Sequence, residues 1–96
     1  MAKVEHPGVV LGKLVKSEFS SIRQFARHIN VSDEVIRTII NGKRAISVAM
    51  AIRLACVFKT AEWWWMAQCK YDLQKNQDLE AEIQKELEEH WKKIAV

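Results

Sequence analysis

The chain has 96 residues, of which 49% are hydrophobic and 28% charged, an ordinary composition for one small folded domain. One Pro and three Gly are too few for a many-turned β protein and favour helices joined by short loops. No run of about 18 apolar residues is present, which excludes a membrane span. Two cysteines, Cys56 and Cys69, make no disulfide framework and are expected as buried or partly buried thiols. We therefore predict an all-α, cytoplasmic protein.

The net charge of +3 is unevenly distributed along the chain. Residues 1–75 carry +6, and residues 76–96 carry −3. A basic body suits a polyanionic partner such as nucleic acid, whereas an acidic tail suits a different role. We therefore divide the chain into a domain over residues 1–75, with a terminal arm over residues 1–6, and an extension over residues 76–96.

The first predicted helix begins at Pro7, because the first helical position needs no backbone N–H. It ends near Ser17, and Phe19 is expected to pack under the start of the next helix. Its buried stripe consists of apolar residues at helical spacing: Val10, Leu11, Leu14 and Val15.

Residues 21–44 contain two predicted short helices separated by a tight turn. Ser21 and Ser32 are good N-caps for the two helices. Asn30 tolerates a left-handed backbone and can end the first helix, and Gly42 ends the second. Two such helices with a short turn between them are typical of a helix-turn-helix. The buried stripe of the second helix is Val35, Ile36, Ile39 and Ile40.

The second helix of a helix-turn-helix lies in the DNA major groove and presents its N-terminal residues to the bases. The outward positions here are Ser32, Asp33, Glu34, Arg37, Thr38 and Asn41. The cations expected to reach phosphates are Arg23, Arg27, Lys43 and Arg44. The carboxylates of Asp33 and Glu34 can accept from cytosine but repel phosphates, so they either tune specificity or weaken binding. Many small helical domains share this pattern without binding DNA.

Two further helices are predicted after the helix-turn-helix. Ser47 caps a fourth helix, whose buried face is expected to comprise Val48, Ala51, Leu54, Ala55 and Phe58. Thr60 caps a fifth helix, which contains three consecutive tryptophans. Successive helix residues are rotated by about 100°, so all three cannot point into one core. The outward aromatic either forms an interface or is covered by a last helix. The predicted dimer interface is Trp63, Trp64, Trp65 and Tyr71.

The composition changes at Asn76, and Asp78 is the candidate cap of a last amphipathic helix. Its apolar stripe has spacings of 4, 4, 4 and 3 residues: Leu79, Ile83, Leu87, Trp91 and Ile94. This stripe either folds back on the body or packs against another chain. The acidic run around it is interpreted as a solvated face.

Four stretches together resemble the HigA-type antitoxins of the Cro/C1-like (XRE) helix-turn-helix group. They are HPG at 6–8, FARHINVSDEVIRTIINGKRAIS at 25–47, AMAIRLA at 49–55 and EWWWMAQCKYDL at 62–73. The resemblance implies a five-helix, lambda-repressor-like domain, here followed by an additional C-terminal helix. It also implies a homodimer that represses its own promoter through an operator inverted repeat and neutralises a small mRNA-endonuclease toxin. The sequence departs from the family pattern at Val9, where Glu is usual, at Lys59, where Gly is common, and at Ala61, where Pro is common.

Other functional classes remain open on the residues alone. One is a stand-alone XRE-type regulator without a toxin. Another is a protein-interaction module that has lost DNA binding, which the two carboxylates and the tryptophans motivate. An enzyme is not expected: His6, His28 and His90 lie far apart, and no metal-ligand spacing, nucleophile elbow or phosphate loop is present. No cofactor or metal is therefore expected.

Overall fold

The computed structural model describes residues 4–95. They form six helices in chain order: α1 (Pro7–Glu18), α2 (Ile22–His28), α3 (Asp33–Ile40), α4 (Val48–Ala55), α5 (Ala61–Lys75) and α6 (Gln77–Ile94). No strand occurs within this range, so the all-α prediction is confirmed. The four predicted caps each accept the backbone N–H three residues further on: Ser21, Ser32, Ser47 and Thr60. Each cap satisfies an N–H that the helix start leaves without a partner.

The two helices of the helix-turn-helix end in the same way. Asn30 and Gly42 both have positive φ, at 58° and 75°. In each case the residue after it donates back across the last turn, Val31 to the Ala26 carbonyl and Lys43 to the Thr38 carbonyl, both at 2.9 Å. This pattern is the Schellman motif, in which a left-handed residue stops the helix and reverses the chain. Both predicted stops are confirmed.

One hydrophobic core lies among α1 to α5. α4 packs on α5, and α1 packs against α2, α3 and α5. Phe19 meets the ring of Phe25 edge-on at 5.0 Å between centroids, as predicted, and Phe25 stacks on Phe58 at 5.5 Å. The buried apolar side chains are Leu11, Val15, Phe25, Ala26, Ile29, Ile36, Ile39, Ile46, Ala51, Leu54, Phe58 and Trp64.

α1 and α3 approach each other closely at Gly8. A Cβ atom placed on Gly8 would overlap the carbonyl oxygen of Ile39, so only glycine fits this position. The start of α1 is therefore tied to the last turn of α3. This contact holds α3 against the body at the end opposite its N-terminus.

The prediction of a terminal arm over residues 1–6 is wrong for residues 4–6, which pack against the body. Residues 1–3 lie outside the described residues. The Val4 N–H donates to Gln74 Oε1 of α5 at 2.7 Å. His6 is only 8% exposed. These residues pack because a polar side chain of α5 and the start of α1 supply their hydrogen-bond partners.

Two expectations about α4 are also corrected. Val48 is expected in the buried face but is 57% exposed. The reason is that the buried face centres on Ala51 and Leu54, while Val48 opens the helix at the edge of that face. Cys56 is exposed at the C-terminal cap, where its thiol donates to the Ile52 carbonyl, while Cys69 is half-buried as expected.

α6 follows α5 directly at Asn76, which caps both helices but makes no side-chain bond to α6. Asp78 lies in the first turn, so its prediction as the cap is wrong. Every described residue of α6 is exposed, and the molecule extends over 65 Å in its long direction but only 25 and 21 Å in the others. The alternative in which the stripe folds back on the body is therefore wrong.

Candidate nucleic-acid interface

α3 is held so that its polar side stays accessible. Ile36 and Ile39 are fully buried on the opposite side of the helix. The Ser32 side chain caps the N-terminus by accepting the Val35 N–H at 3.3 Å. The predicted base-reading residues are exposed at Ser32, Glu34, Arg37 and Asn41, and half-buried at Asp33 and Thr38. The N-terminal half of α3 thus presents a polar, open edge.

Arg37 is joined to Asp33 across one helical turn. Its Nη2 lies 3.5 Å from Asp33 Oδ2, and the two side chains are 53% and 44% exposed. An exposed ion pair of this kind contributes only about 0.2 to 1 kcal/mol. The pair orients the guanidinium and leaves it able to move onto a ligand. In the chain without DNA, Asp33 therefore holds the Arg37 side chain along α3.

Thr38 and Arg44 form a contact that sequence reasoning missed. Thr38 Oγ1 donates to the Val35 carbonyl at 2.8 Å and accepts the Arg44 Nε–H at 3.1 Å. The hydroxyl is therefore occupied as donor and as acceptor, and it fixes Arg44 beside α3. Arg44 keeps its terminal N–H groups for an anion. The Gly42 turn brings these residues together, so no local pattern predicts the contact.

α2 carries the other two predicted phosphate contacts. Arg23 and Arg27 are both exposed and lie one turn apart on the same face. Sequence reasoning missed Gln24: its Oε1 accepts both the N–H and the hydroxyl of Ser20, at 2.7 and 2.8 Å, while its N–H donates to Ser21 Oγ at 3.0 Å. Ser followed by Gln three residues later is the capping-box signal. Here the Gln24 side chain accepts from Ser20, the residue before the cap, and the two bonds fix the start of α2.

His6 lies beneath the turn that carries Lys43 and Arg44. Its Nδ1 accepts the Gly8 N–H at 2.9 Å, and its ring meets Tyr71 edge-on at 4.9 Å. Burial lowers the pKa of His6 below its ordinary value of 6.5, against the raising effects of Asp72 and of a hydrogen bond to the Arg44 backbone. The neutral ring is therefore favoured as the cap of α1. Sequence reasoning missed this residue because it fell in the predicted arm.

The three tryptophans occupy three environments, as their helical rotation requires. Trp64 is fully buried, and its Nε1–H donates to the Phe58 carbonyl at 2.9 Å. Its prediction as a dimer contact is wrong, because its side chain has no surface to offer a second chain. Trp65 is 45% exposed, and Trp63 and Tyr71 are half-buried. The expectation that at least one tryptophan lies outside the core is confirmed.

Comparison with known proteins identifies the family. The helix-turn-helix family model matches residues 20–64, which run from the start of α2 into α5. A solved Coxiella burnetii structure, an addiction module antidote protein of a HigA family, superposes with a TM-score of 0.80 at 30% identity. The match covers 88% of this chain and 96% of that one. The chain belongs to the HigA family.

Two further proteins are similar over shorter stretches. The Pseudomonas aeruginosa protein PA4674, solved in complex with its operator DNA, matches with a TM-score of 0.68 and 31% identity, covering 76% of this chain and 81% of that one. A virulence-associated protein A′ of Dichelobacter nodosus is 35% identical over 75 residues, or 76% of this chain. The aligned part of this chain spans 65% of the length of that curated relative.

One departure from the HigA pattern has a visible structural consequence. Lys59, where Gly is common in the family, has a φ of 58° in the turn between α4 and α5. A side chain in this left-handed region is strained, and this explains why glycine suits the position. The Lys59 ammonium lies 4.3 Å from the centroid of the Trp63 ring, a cation–π contact that offsets part of the strain.

The described part of the chain contains no cluster of three His, Cys, Asp or Glu side chains suited to a metal ion. Over residues 4–95, none of the helices has both the length and the apolar character needed to span a bilayer. The polar edge of α3, with the exposed cations of α2 and of the turn after α3, is the candidate site.

Proposed function

We propose that this chain is a DNA-binding transcriptional repressor of the antitoxin kind, acting in the cytoplasm and without enzymatic activity. The observation that carries the proposal is the capped, open N-terminal edge of α3, held by a buried apolar side and flanked by four exposed cations. The similar P. aeruginosa protein, solved with its operator DNA, supports the same use of the fold. The DNA-reading unit is residues 1–75, and residues 76–96 form a separate extension.

The site residues divide by the chemistry of DNA. Arg23, Arg27, Lys43 and Arg44 neutralise phosphates and set the register of the protein on the duplex. Ser32, Asp33, Glu34, Arg37, Thr38 and Asn41 lie at or near the base edges of the major groove. Arg37 is the strongest candidate for base reading, because a guanidinium can donate two parallel bonds to guanine. When Arg37 binds guanine, its ion pair with Asp33 breaks.

The test is a fluorescence-anisotropy titration against the DNA upstream of the protein's own gene and against random DNA, at two salt concentrations. We expect saturable binding that prefers the upstream DNA and weakens steeply as salt rises. Binding that shows no preference over random DNA would overturn the proposal and favour a protein-interaction module.

Two substitutions separate base reading from phosphate contact. Arg37→Ala should cost about 1 to 3 kcal/mol and relax specificity at one base pair, if it makes the bidentate guanine contact. Lys43→Ala should weaken all sequences similarly and reduce the salt slope by about one. Lys70→Ala, which removes an exposed cation from α5, is the control for charge alone. Unchanged operator affinity in Arg37→Ala would exclude its role.

We also propose that the chain neutralises a small toxin protein, as its HigA-family membership implies. A stand-alone regulator without a toxin is the alternative. Co-expression with the product of the adjacent gene separates them: a stable complex and restored growth are expected for the antitoxin, and neither for the stand-alone regulator. The predicted dimer contacts at Trp63, Trp65 and Tyr71 remain predictions.

A further inference from the structure

α6 leaves a whole apolar stripe without a partner in its own chain. The exposed fractions of its five large apolar side chains are 51% for Leu79, 44% for Ile83, 38% for Leu87, 54% for Trp91 and 65% for Ile94. Single exposed apolar residues are common, but a continuous stripe of this kind marks an interaction surface. The stripe accounts for most of the apolar surface of the helix.

The stripe is close to symmetric about its middle residue. Leu87 has Ile83 four residues before it and Trp91 four residues after it, with Leu79 and Ile94 beyond them. A two-fold symmetric interface uses the same patch on both chains, so the patch must be complementary to itself. An antiparallel pair centred on Leu87 sets Ile83 of each chain against Trp91 of the other, and so meets this requirement.

The charges at the two ends of α6 favour the same orientation. The first turns carry Asp78, Glu80 and Glu82, and the last turn carries Lys92 and Lys93. An antiparallel pair brings the acidic start of one helix level with the basic end of the other, whereas a parallel pair sets acids beside acids. The helix dipoles are also opposed in the antiparallel pair.

We propose that the occupant of this stripe is a second copy of the chain, paired antiparallel along α6 with the two-fold axis at Leu87. The pairing goes beyond the proposed function, since it is argued from α6 alone and its tests contain no DNA. α6 is about 27 Å long, and one face of it offers less than the roughly 800 Å² that each partner gives to a standard interface. The dimer is therefore reversible.

Salt should affect this dimer less than it affects DNA binding. Glu86 and Glu88 flank Leu87, so Glu86 of one chain lies level with Glu88 of the other near the two-fold axis. Screening weakens this repulsion, but it also weakens the attraction between the acidic start of one helix and the basic end of the other, so we expect little net change in the dimer as salt rises. DNA binding weakens under the same change.

The first test is sedimentation equilibrium of the full chain without DNA, from low to high micromolar concentration. We expect a monomer–dimer equilibrium that Leu87→Glu weakens about a hundredfold or more, because two carboxylates then lie unpaired at an apolar axis. The matched control is Leu73→Glu on α5, where the leucine is 68% exposed. It should leave the dimer intact. Circular dichroism checks that both variants keep their helices.

Three results would overturn the proposal. A wild-type monomer at all concentrations would mean that another partner covers the stripe. An intact dimer in Leu87→Glu would place the interface elsewhere. Loss of the dimer in Trp65→Glu, with Leu87→Glu unaffected, would assign the interface to α5.

The orientation is tested by oxidation in a background that carries Cys56→Ser and Cys69→Ser. Leu87→Cys should give a disulfide-linked dimer, because the two Cα atoms meet at the axis. Leu79→Cys should not, because in the antiparallel pair the two copies lie at opposite ends. Cross-linking of both variants would indicate a parallel pair and overturn the register. These measurements contain no DNA, so a failure of operator binding leaves them unaffected.

Discussion

The body over residues 4–75 and the extension α6 are both helical, but they are stabilised differently. In the body, twelve apolar side chains are buried together, and polar groups such as Gln68 find partners inside. In α6, no residue is buried, and the helix depends on its own backbone bonds and on charges placed to suit its dipole. An amphipathic pattern therefore predicts a helix equally well in both regions but does not say what covers the apolar side.

The largest difference between the regions is expected in the loss of stability when a tryptophan is replaced by alanine. Trp64→Ala should lower the free energy of unfolding by about 3 to 5 kcal/mol, because it leaves a cavity and removes the bond to the Phe58 carbonyl. Trp91→Ala in α6 is the matched control, and the monomer's stability should change by less than about 0.5 kcal/mol. Urea denaturation followed by circular dichroism measures both. Equal effects of the two substitutions would show that α6 packs on the body.

A smaller difference in stability is expected when a glutamine in each region is replaced by leucine. Gln68 is buried, accepts the Ile46 N–H at 2.9 Å and donates to Asp72 at 3.0 Å. Gln68→Leu should cost about 1 to 3 kcal/mol, because the buried Ile46 N–H loses its acceptor. Gln84→Leu, on exposed α6, should be nearly neutral in the same denaturation experiment. A neutral Gln68→Leu would mean that this hydrogen bond is not needed to hold the loop before α4.

Replacing a histidine should also change the pH dependence of stability in the body but not in α6. The folded state lowers the pKa of His6, so the unfolded chain binds the proton more readily. The contribution of neutral His6 to the free energy of unfolding should therefore be fully present above about pH 6.5 and be lost as the pH falls below that value. His6→Asn, which keeps an acceptor for the Gly8 N–H, should reduce the loss of Tm between pH 7.5 and 5.5. His90→Asn in α6 is the control and should leave the wild-type profile unchanged.

The smallest expected effect concerns two lysines, and its sign should differ between the regions. Lys59→Gly removes the left-handed strain but also the contact with Trp63, so the body should be unchanged or gain up to about 1 kcal/mol. Lys85→Gly lies inside α6 and should reduce its helical signal, since Gly costs about 1 kcal/mol within a helix. Thermal melts and the far-ultraviolet signal at low temperature report the two effects. A clear loss of stability in Lys59→Gly would show that the cation–π contact outweighs the strain.

Local chemistry in the sequence determined the helices, the caps of α2 to α5 and the stops of α2 and α3. Ser21, Ser32, Ser47 and Thr60 were readable as caps because a hydroxyl satisfies an N–H only three residues away. The exposed side of α3 followed from helical periodicity, which fixes the faces of a helix once the buried residues are known. The resemblance to the HigA-type antitoxins likewise rested on residues quoted directly from the chain.

Only the tertiary structure decided which surfaces are covered, because that depends on contacts between residues far apart in sequence. It packed His6 against Tyr71, buried Trp64 instead of Trp65, and brought Arg44 to Thr38 around the turn at Gly42. It also left the stripe of α6 open, although apolar residues four apart in α1, Leu11 and Val15, are buried. Periodicity defines an apolar face, but the direction in which the chain leaves Asn76 determines whether α6 meets the body.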